Sequence, residues 1–190
     1  GPGKQNYELK AAVRAGITIN LESEGEMRRV AAICDRIGHR GNIAIRVNPS
    51  FELKTAGMKM GGRPSQFGID AERVPAVIAE SAALGLHFRG FHIYSGAQNL
   101  RPEAISECIV KTTDLAIELA ASADVSMEFV NIGGSLGIPY SPKEKPLALE
   151  EIAVAIGLWA VDAVKRLLTG KGIDTNGETT TTRMSPLRFV

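Results

Sequence analysis

The sequence has little of what marks a specialised class of protein. It contains only two cysteines, aromatic residues make up 5% of it, and 22 lysines and arginines stand against 21 aspartates and glutamates. The resulting net charge of +1 gives no field that would attract nucleic acid or anionic lipid. We therefore expect the partners to be small molecules or other protein chains.

The cysteines and the apolar residues exclude further classes. Cys34 and Cys108 belong to no C-x-x-C pair and no cysteine/histidine cluster, so no metal site is predicted and both are expected to be core thiols. No apolar run reaches about 18 residues, and the N-terminus has no signal-peptide pattern. These features favour a reducing cytoplasm, with neither a membrane span nor a secretion signal.

What the sequence does contain is an alternation of helix-like and strand-like segments, which is typical of βα units and a parallel sheet. We predict an α/β fold. Helices are predicted over residues 5–15, from Ser23, from Asp70, over 102–121 and over 149–168. Strands are predicted over 17–21, 42–47, 87–93 and 127–132.

The number of strands bears on the architecture. Four strands with their helices make about half of a TIM-type (β/α)8 barrel, and an open four-stranded sheet is the alternative. Residues 1–170 are expected to form this partial barrel domain, and the polar residues 171–190 an irregular tail. Because half a barrel leaves unpaired strand edges, we expect poor solubility unless something supplies the missing strands.

Two helix starts carry capping signals. Ser23 and Glu26 have the spacing of a capping box, in which the serine accepts a backbone N–H and the glutamate reaches back to the cap. Asp70 is expected to cap the third helix. The GPGK segment ending at Lys4 resembles a phosphate loop only superficially, because no strand precedes it and no serine or threonine follows.

The second predicted strand separates apolar residues from an arginine. Ile43, Ile45 and Val47 alternate with Ala44 and Arg46, so the branched residues would face the helices and Arg46 would point into a barrel. Arg46 is also near the carboxyl end of its strand, where such barrels place their chemistry. The glycine- and methionine-rich loop that follows, residues 49–67, is long enough to be a lid or a binding loop.

A histidine lies near the end of the third predicted strand. His92 shares a face with Gly90 and is followed by Ser95, an arrangement suited to stacking on a planar ring while the serine binds an attached anion. The alternative is a core histidine with its hydrogen bonds satisfied, next to a turn serine.

A glycine pair follows the fourth predicted strand. The segment Gly133-Gly134-Ser135 would let backbone N–H groups approach an anion, as glycine loops do when they bind phosphate. A lone Gly-Gly is weak evidence, and an ordinary strand-to-helix turn is the alternative.

Six segments together resemble the fold-type III pyridoxal-phosphate (PLP) decarboxylases, a family that includes the diaminopimelate, ornithine and arginine decarboxylases. The order and approximate spacing match for GPGK (1–4), INLESEGEM (19–27), IRVNP (45–49), QFGID (66–70), GFHIYSGAQ (90–98) and NIGGSLGIPY (131–140). The loop FELKTAGMKMGGRPSQFGID looks most like the subgroup that accompanies exosortase and exopolysaccharide gene clusters.

This resemblance implies a cofactor site and a reaction. His92 would stack on the PLP ring, Ser95 would bind the phosphate, and Arg46 would lie near the cofactor. The same phosphate would receive backbone N–H groups of Gly133, Gly134 and Ser135. The family removes the α-carboxylate of a small amino acid as CO2 through a PLP aldimine, and its members act as homodimers.

The chain departs from the family pattern in several places. Tyr94 stands where relatives often have glycine, Ser135 replaces a third loop glycine, and Gln66 stands where many have lysine. No segment matches the strand that carries the Schiff-base lysine, since Lys4 is not at that motif. The Glu-x-Gly-Arg segment and the C-terminal β-domain also have no counterpart, so we expect this chain by itself to be inactive.

Other functions are compatible with the same barrel. Alanine racemases and small PLP-carrier proteins share it, although they match GFHIYSGAQ and the long loop less well. A phosphate-binding barrel without PLP, such as an aldolase, could also use the Gly133-Gly134 loop. A further alternative is a chain that only binds, without turnover.

Overall fold

A computed structural model of the chain describes residues 1–49, 66–94, 96, 98–134, 136–168 and 188–189, with side chains up to residue 160. The helices are α1 (Asn6–Arg14), α2 (Glu24–Ile37), α3 (Val74–Ala83), α4 (Pro102–Ser122) and α5 (Leu149–Leu168). A 3-10 turn, Ala71–Arg73, precedes α3. The strands are β1 (Ile19–Leu21), β2 (Asn42–Asn48), β3 (Ile69–Asp70), β4 (His87–Ile93), β5 (Phe129–Asn131) and β6 (Arg188–Phe189).

The strands form one parallel sheet in the order β1-β2-β4-β5-β6, with β3 paired to β2. The predicted α/β fold and all four predicted strands are confirmed, although β1 and β5 are shorter than expected. β3 and β6 were not predicted, because two-residue strands have no measurable period. Of the tail predicted to be irregular, the structure describes only Arg188 and Phe189, and these pair with β5.

The two faces of the sheet differ in polarity. On the face covered by helices, the side chains of Ile43, Ile45, Phe91 and Ile93 are fully buried. Burying each such side chain stabilises the fold by about 1.5–3 kcal/mol, so this face is the main source of stability. The opposite face, which corresponds to the interior of a barrel, carries Arg46 as its parity predicted.

Gly90 allows β4 and β5 to approach closely. A Cβ atom at this position would lie 2.0 Å from the backbone oxygen of Phe129, its register partner in β5. Since no side chain fits at that distance, the pairing that brings β5 beside β4 requires glycine here.

The predicted caps are only partly confirmed. The Glu26 N–H donates to Ser23 Oγ at 3.2 Å as expected, but Glu26 Oε2 accepts from the N–H of Glu22, at 2.9 Å, instead of from the cap residue. The predicted Asp70 cap is wrong: its side chain makes no cap hydrogen bond, because Asp70 Oδ1 accepts from Asn48 Nδ2 at 2.7 Å. Because β3 pairs with β2, the Asp70 carboxylate lies beside Asn48 and binds it instead of capping the helix.

Cys34 and Cys108 are buried and unpaired, as predicted for core thiols. Burial raises the pKa of the Cys34 thiol, with the charge of Asp35 adding to the effect. In the part of the chain that the structure describes, no helix is both long and apolar enough to cross a membrane.

Candidate functional site

A row of four polar side chains crosses the carboxyl end of the sheet. Arg46 in β2 is the register partner of His92 in β4, and His92 is the register partner of Asn131 in β5. Glu22 directly follows Leu21, which pairs with Ile45, and therefore lies beside Arg46. Because register partners in parallel strands point to the same side, the four residues share the interior face.

Glu22 and Arg46 form the ion pair of this row. Arg46 Nη1 donates to Glu22 Oε1 at 2.9 Å and to Oε2 at 3.2 Å. Their side chains are 5% and 13% exposed, so the pair is largely withdrawn from water. Glu22 Oε2 also accepts the N–H of Gly68 at 3.0 Å, which joins the end of β1 to the segment entering β3.

Two aromatic rings contact the Arg46 guanidinium. Its Cζ atom lies 5.0 Å from the ring centroid of Phe67 and 5.9 Å from that of Tyr94. Both distances are within the range of cation–π attraction, which is stronger where water is excluded. The guanidinium thus links β2 to the residues that precede β3 and follow β4.

His92 is half-buried, and one of its ring nitrogens has no hydrogen-bond partner in the part of the chain that the structure describes. Nδ1 is buried without a hydrogen bond among the described residues. Burial lowers the pKa of His92 and the charge of Arg46 lowers it further, while the charge of Glu22 acts in the opposite direction. The lowered pKa favours the neutral imidazole, and among the described residues Nδ1 has no hydrogen bond of the kind expected for a structural core histidine.

The glycine pair after β5 has a defined conformation. Gly133 has a φ of +69°, and its N–H donates to Asn131 Oδ1 at 2.8 Å. A Cβ atom at Gly133 would lie 2.8 Å from Cδ2 of Tyr94, whereas one at Gly134 would meet nothing within 4 Å. Among the described residues after β5, the next helix begins at Leu149, so the segment does not lead directly into a helix as an ordinary strand-to-helix turn would.

The structure brings four of the predicted site residues to one rim, namely Arg46, His92, Gly133 and Gly134. Ser95 and Ser135 lie outside the described residues. Glu22 and Asn131 were not predicted as members of the site. Both could have been predicted only from the strand register, because Glu22 is level with Arg46 and Asn131 is level with His92 on the neighbouring strand.

A cavity of about 320 Å³ lies behind the glycine pair. Its walls come from α4, α5 and the loop after β5, and they include Cys108, Ile109, Ile132, Gly134, Leu149 and Ile152. Among the described residues, the walls carry no charged side chain that could orient a ligand.

Comparison with known proteins identifies the family. Residues 1–174 match the family model described as pyridoxal-dependent decarboxylase, pyridoxal binding domain. The chain belongs to this decarboxylase family. The implied cofactor is pyridoxal 5′-phosphate, as the resemblance predicted.

Individual relatives of this decarboxylase domain agree. The chain is 34% identical over 165 residues to L-glutamyl-[BtrI acyl-carrier protein] decarboxylase of Niallia circulans, covering 86% of the chain and 39% of the relative. It is 34% identical over 160 residues to diaminopimelate decarboxylase of Methanothermobacter thermautotrophicus, covering 82% and 36%. The chain thus spans well under half the length of these relatives.

A solved structure shows the same fold. Diaminopimelate decarboxylase from M. jannaschii in co-complex with L-lysine superposes with a TM-score of 0.75 at 22% identity, covering 98% of this chain and 41% of that one. The parallel sheet described here therefore corresponds to one part of a PLP-binding barrel.

The residues on the rim fit a PLP molecule. The neutral, half-buried imidazole of His92 offers a flat face, and Nδ1 has no partner among the described residues that would hold it elsewhere. Gly134 has open space where a side chain would stand, so its backbone can approach a phosphate. His92 and the Gly133-Gly134 segment are thus suited to the ring and the phosphate respectively.

Proposed function

We propose that this chain forms one wall of the PLP site of an amino-acid decarboxylase. The observation that carries the proposal is the neutral His92, with Nδ1 unpartnered among the described residues, standing beside the Gly133-Gly134 loop on the carboxyl rim of the sheet. His92 stacks on the pyridine ring, and the loop binds the phosphate together with Ser95 and Ser135. Arg46 lies beside the ring without binding the phosphate, because its guanidinium is engaged by Glu22.

The chemistry follows from this arrangement. PLP bound there would supply the electron sink for loss of the α-carboxylate of an amino acid as CO2. His92 would pack against one face of the pyridine ring, and the glycine loop would hold the phosphate and so fix the position of the cofactor. Because the pKa of His92 is lowered, the imidazole adds no positive charge beside the ring at neutral pH.

The proposed substrate is an amino acid or a group that carries one. The two relatives above are named for a glutamyl group on an acyl-carrier protein and for diaminopimelate, and these compounds differ in size and attachment. The proposal therefore extends to the amino-acid class and to removal of a carboxylate.

A second histidine on the same strand gives a matched control for PLP binding. His92→Ala should weaken PLP binding, measured by the change in cofactor absorbance on titration. His87→Ala, at the opposite end of β4, should leave it unchanged. Equal affinity of both variants and the unaltered chain would overturn the stacking role of His92.

We also propose that the reacting lysine is supplied by sequence outside these 190 residues, as the motif comparison predicts. Borohydride treatment of the chain with one equivalent of PLP should then leave no lysine with a stoichiometric pyridoxyl group, as measured by protein mass spectrometry. A single stoichiometric adduct would show that a lysine of this chain reacts. Flanking nucleotide sequence encoding a Lys-Ala-Asn-like motif upstream and Glu-x-Gly-Arg downstream would support the proposal.

The setting of the complete enzyme is part of the proposal. We infer a homodimer, supported by the exposed apolar side chains of Leu136, Ile138 and Tyr140 near the rim, because such groups often mark contact surfaces. Two buried free thiols favour a reducing cytoplasm. The long loop of residues 49–67 supports membership of the exosortase-associated subgroup. Light scattering of the complete enzyme at a monomer mass would contradict the homodimer.

A further inference from the structure

We propose that Glu22 is a positioning residue of the PLP site, which orients the glycine loop through Arg46 and Tyr94. This inference rests on the proposed function and adds a residue to it. Glu22 does not face the cofactor loop itself. It acts through Arg46, which contacts Tyr94, and Tyr94 contacts Gly133.

The carboxylate of Glu22 binds two groups from different parts of the chain. It binds Arg46 Nη1 with both oxygens, and Oε2 also accepts the N–H of Gly68. With 5% of its side chain exposed, Glu22 has its negative charge balanced by protein groups instead of by water.

A second carboxylate holds Glu22 in place. Glu26 Oε2 accepts the N–H of Glu22 at 2.9 Å, and Glu26 also binds Lys4 Nζ at 2.9 Å. Lys4 in turn donates to the carbonyl of Asn20 at 2.8 Å. The end of β1 is therefore fixed by charge-assisted hydrogen bonds before the Glu22 side chain reaches across to β2.

The Arg46 guanidinium transmits this position to the glycine loop. Held by Glu22, it lies against the ring of Tyr94, and that ring occupies the space where a side chain at Gly133 would stand. Tyr94 thus separates Arg46 from the loop and packs on Gly133. Without Glu22, the guanidinium would be free to turn toward water, and Tyr94 would lose the charge that holds it.

The pKa of His92 depends on the charges of Glu22 and Arg46. The charged side chains that act on His92 are Arg46 and Glu22. Glu22 raises the pKa of His92 and Arg46 lowers it, so loss of the Glu22 charge should lower the pKa further. The His92 titration is measurable without cofactor, by the ring-proton NMR signals of the chain.

The test compares Glu22→Gln with Glu24→Gln, whose carboxylate pairs with Arg73 on the outer surface. In Glu22→Gln, PLP affinity measured by absorbance titration should fall about tenfold, the size of effect typical when a supporting contact is lost. The His92 titration should move to lower pH in the same variant. Glu24→Gln should change neither, and unchanged affinity and titration in Glu22→Gln would overturn the proposal.

If Glu22→Gln does not fold, a second variant tests the positioning role of Glu22. Glu22→Gln/Arg46→Met removes both charges and should restore folding, because no buried charge is left unpaired. PLP affinity should stay low in this double variant, and the His92 titration should move to higher pH than in Glu22→Gln. Full recovery of PLP affinity would show that the pair is structural only.

The proposed function and the role of Glu22 fail in distinguishable ways. If the unaltered chain binds no PLP, the proposed function fails, while the His92 titration still tests whether Glu22 controls the electrostatics of the rim. If PLP binds and Glu22→Gln binds it equally well, only the positioning role is lost.

Discussion

The two ends of the sheet carry the same kinds of side chain in different surroundings. At the carboxyl end, Glu22 and Arg46 are paired and nearly inaccessible, and His92 has a nitrogen without a partner among the described residues. At the amino end, Arg89 donates to Glu128 at 2.7 Å, but these side chains are 34% and 45% exposed.

The histidines of β4 show the same contrast. His87 Nδ1 lies 3.0 Å from Asn42 Oδ1, and Nε2 lies 3.5 Å from Glu128 Oε1, so both nitrogens have neighbours. Exposed pairs contribute little, because water solvates the separated charges nearly as well. The amino end is therefore a surface network, whereas each buried group at the carboxyl end depends on the others.

The largest expected difference between the ends is in their ion pairs. Glu22→Gln should lower the free energy of unfolding by about 3 kcal/mol, because it leaves the Arg46 charge buried without its partner. Glu128→Gln at the amino end should cost about 1 kcal/mol or less. Urea denaturation of both variants measures the difference, and equal losses would remove the distinction between the two ends.

Two glycines with positive φ sharpen the comparison. Gly85, just before β4, has a φ of +70° and open space within 4 Å of where a Cβ atom would stand, whereas Gly133 has a φ of +69° and the Tyr94 ring nearby. Gly85→Ala should cost about 1 kcal/mol for the left-handed backbone alone. Gly133→Ala should cost about 2 kcal/mol, since Tyr94 must also move. The shifts in denaturation midpoint of the two variants measure these losses. A greater loss of stability for Gly85→Ala than for Gly133→Ala would contradict the prediction.

An aromatic ring lies at the same distance from the arginine at each end. Arg46 is 5.9 Å from the Tyr94 ring, and Arg89 is 5.9 Å from the Phe129 ring. Arg46 is the more desolvated, so its attraction to Tyr94 should be worth about 1 kcal/mol against about 0.5 kcal/mol for the exposed pair. Double-mutant cycles with Tyr94→Leu and Phe129→Leu give the two coupling energies. Equal values would mean that burial does not strengthen the contact.

The smallest expected effect is the pH dependence due to His92. Its pKa is lowered in the folded chain, so the unfolded chain binds more protons as the pH falls. The contribution of His92 is complete above the unfolded pKa of about 6.5 and is lost as the pH falls through the folded pKa. His92→Asn should reduce the loss of thermal stability between neutral and mildly acidic pH. His87→Asn should keep it, because His92 is still present.

Much of the fold could be predicted because its signals are local. The apolar alternation of β2, the Ser23 cap and the bounds of α5 all follow from residues within a few positions of one another. The predictions failed where a distant partner competes with a near one. Asp70 and Glu26 both have the spacing expected of cap residues. The Asp70 carboxylate binds Asn48 instead, and the Glu26 carboxylate binds the N–H of Glu22.

By itself, the sequence determined the α/β class, the interior parity of Arg46, the place of His92 near a strand end and the six motifs of the decarboxylase family. These depend on the period of two along a strand and on residue order, which the chain carries locally. Only the tertiary structure decided that Glu22 binds Arg46, that Tyr94 packs on Gly133 and that His92 Nδ1 lacks a partner among the described residues. Each of these depends on strand register and on burial, which exist only once the sheet has assembled.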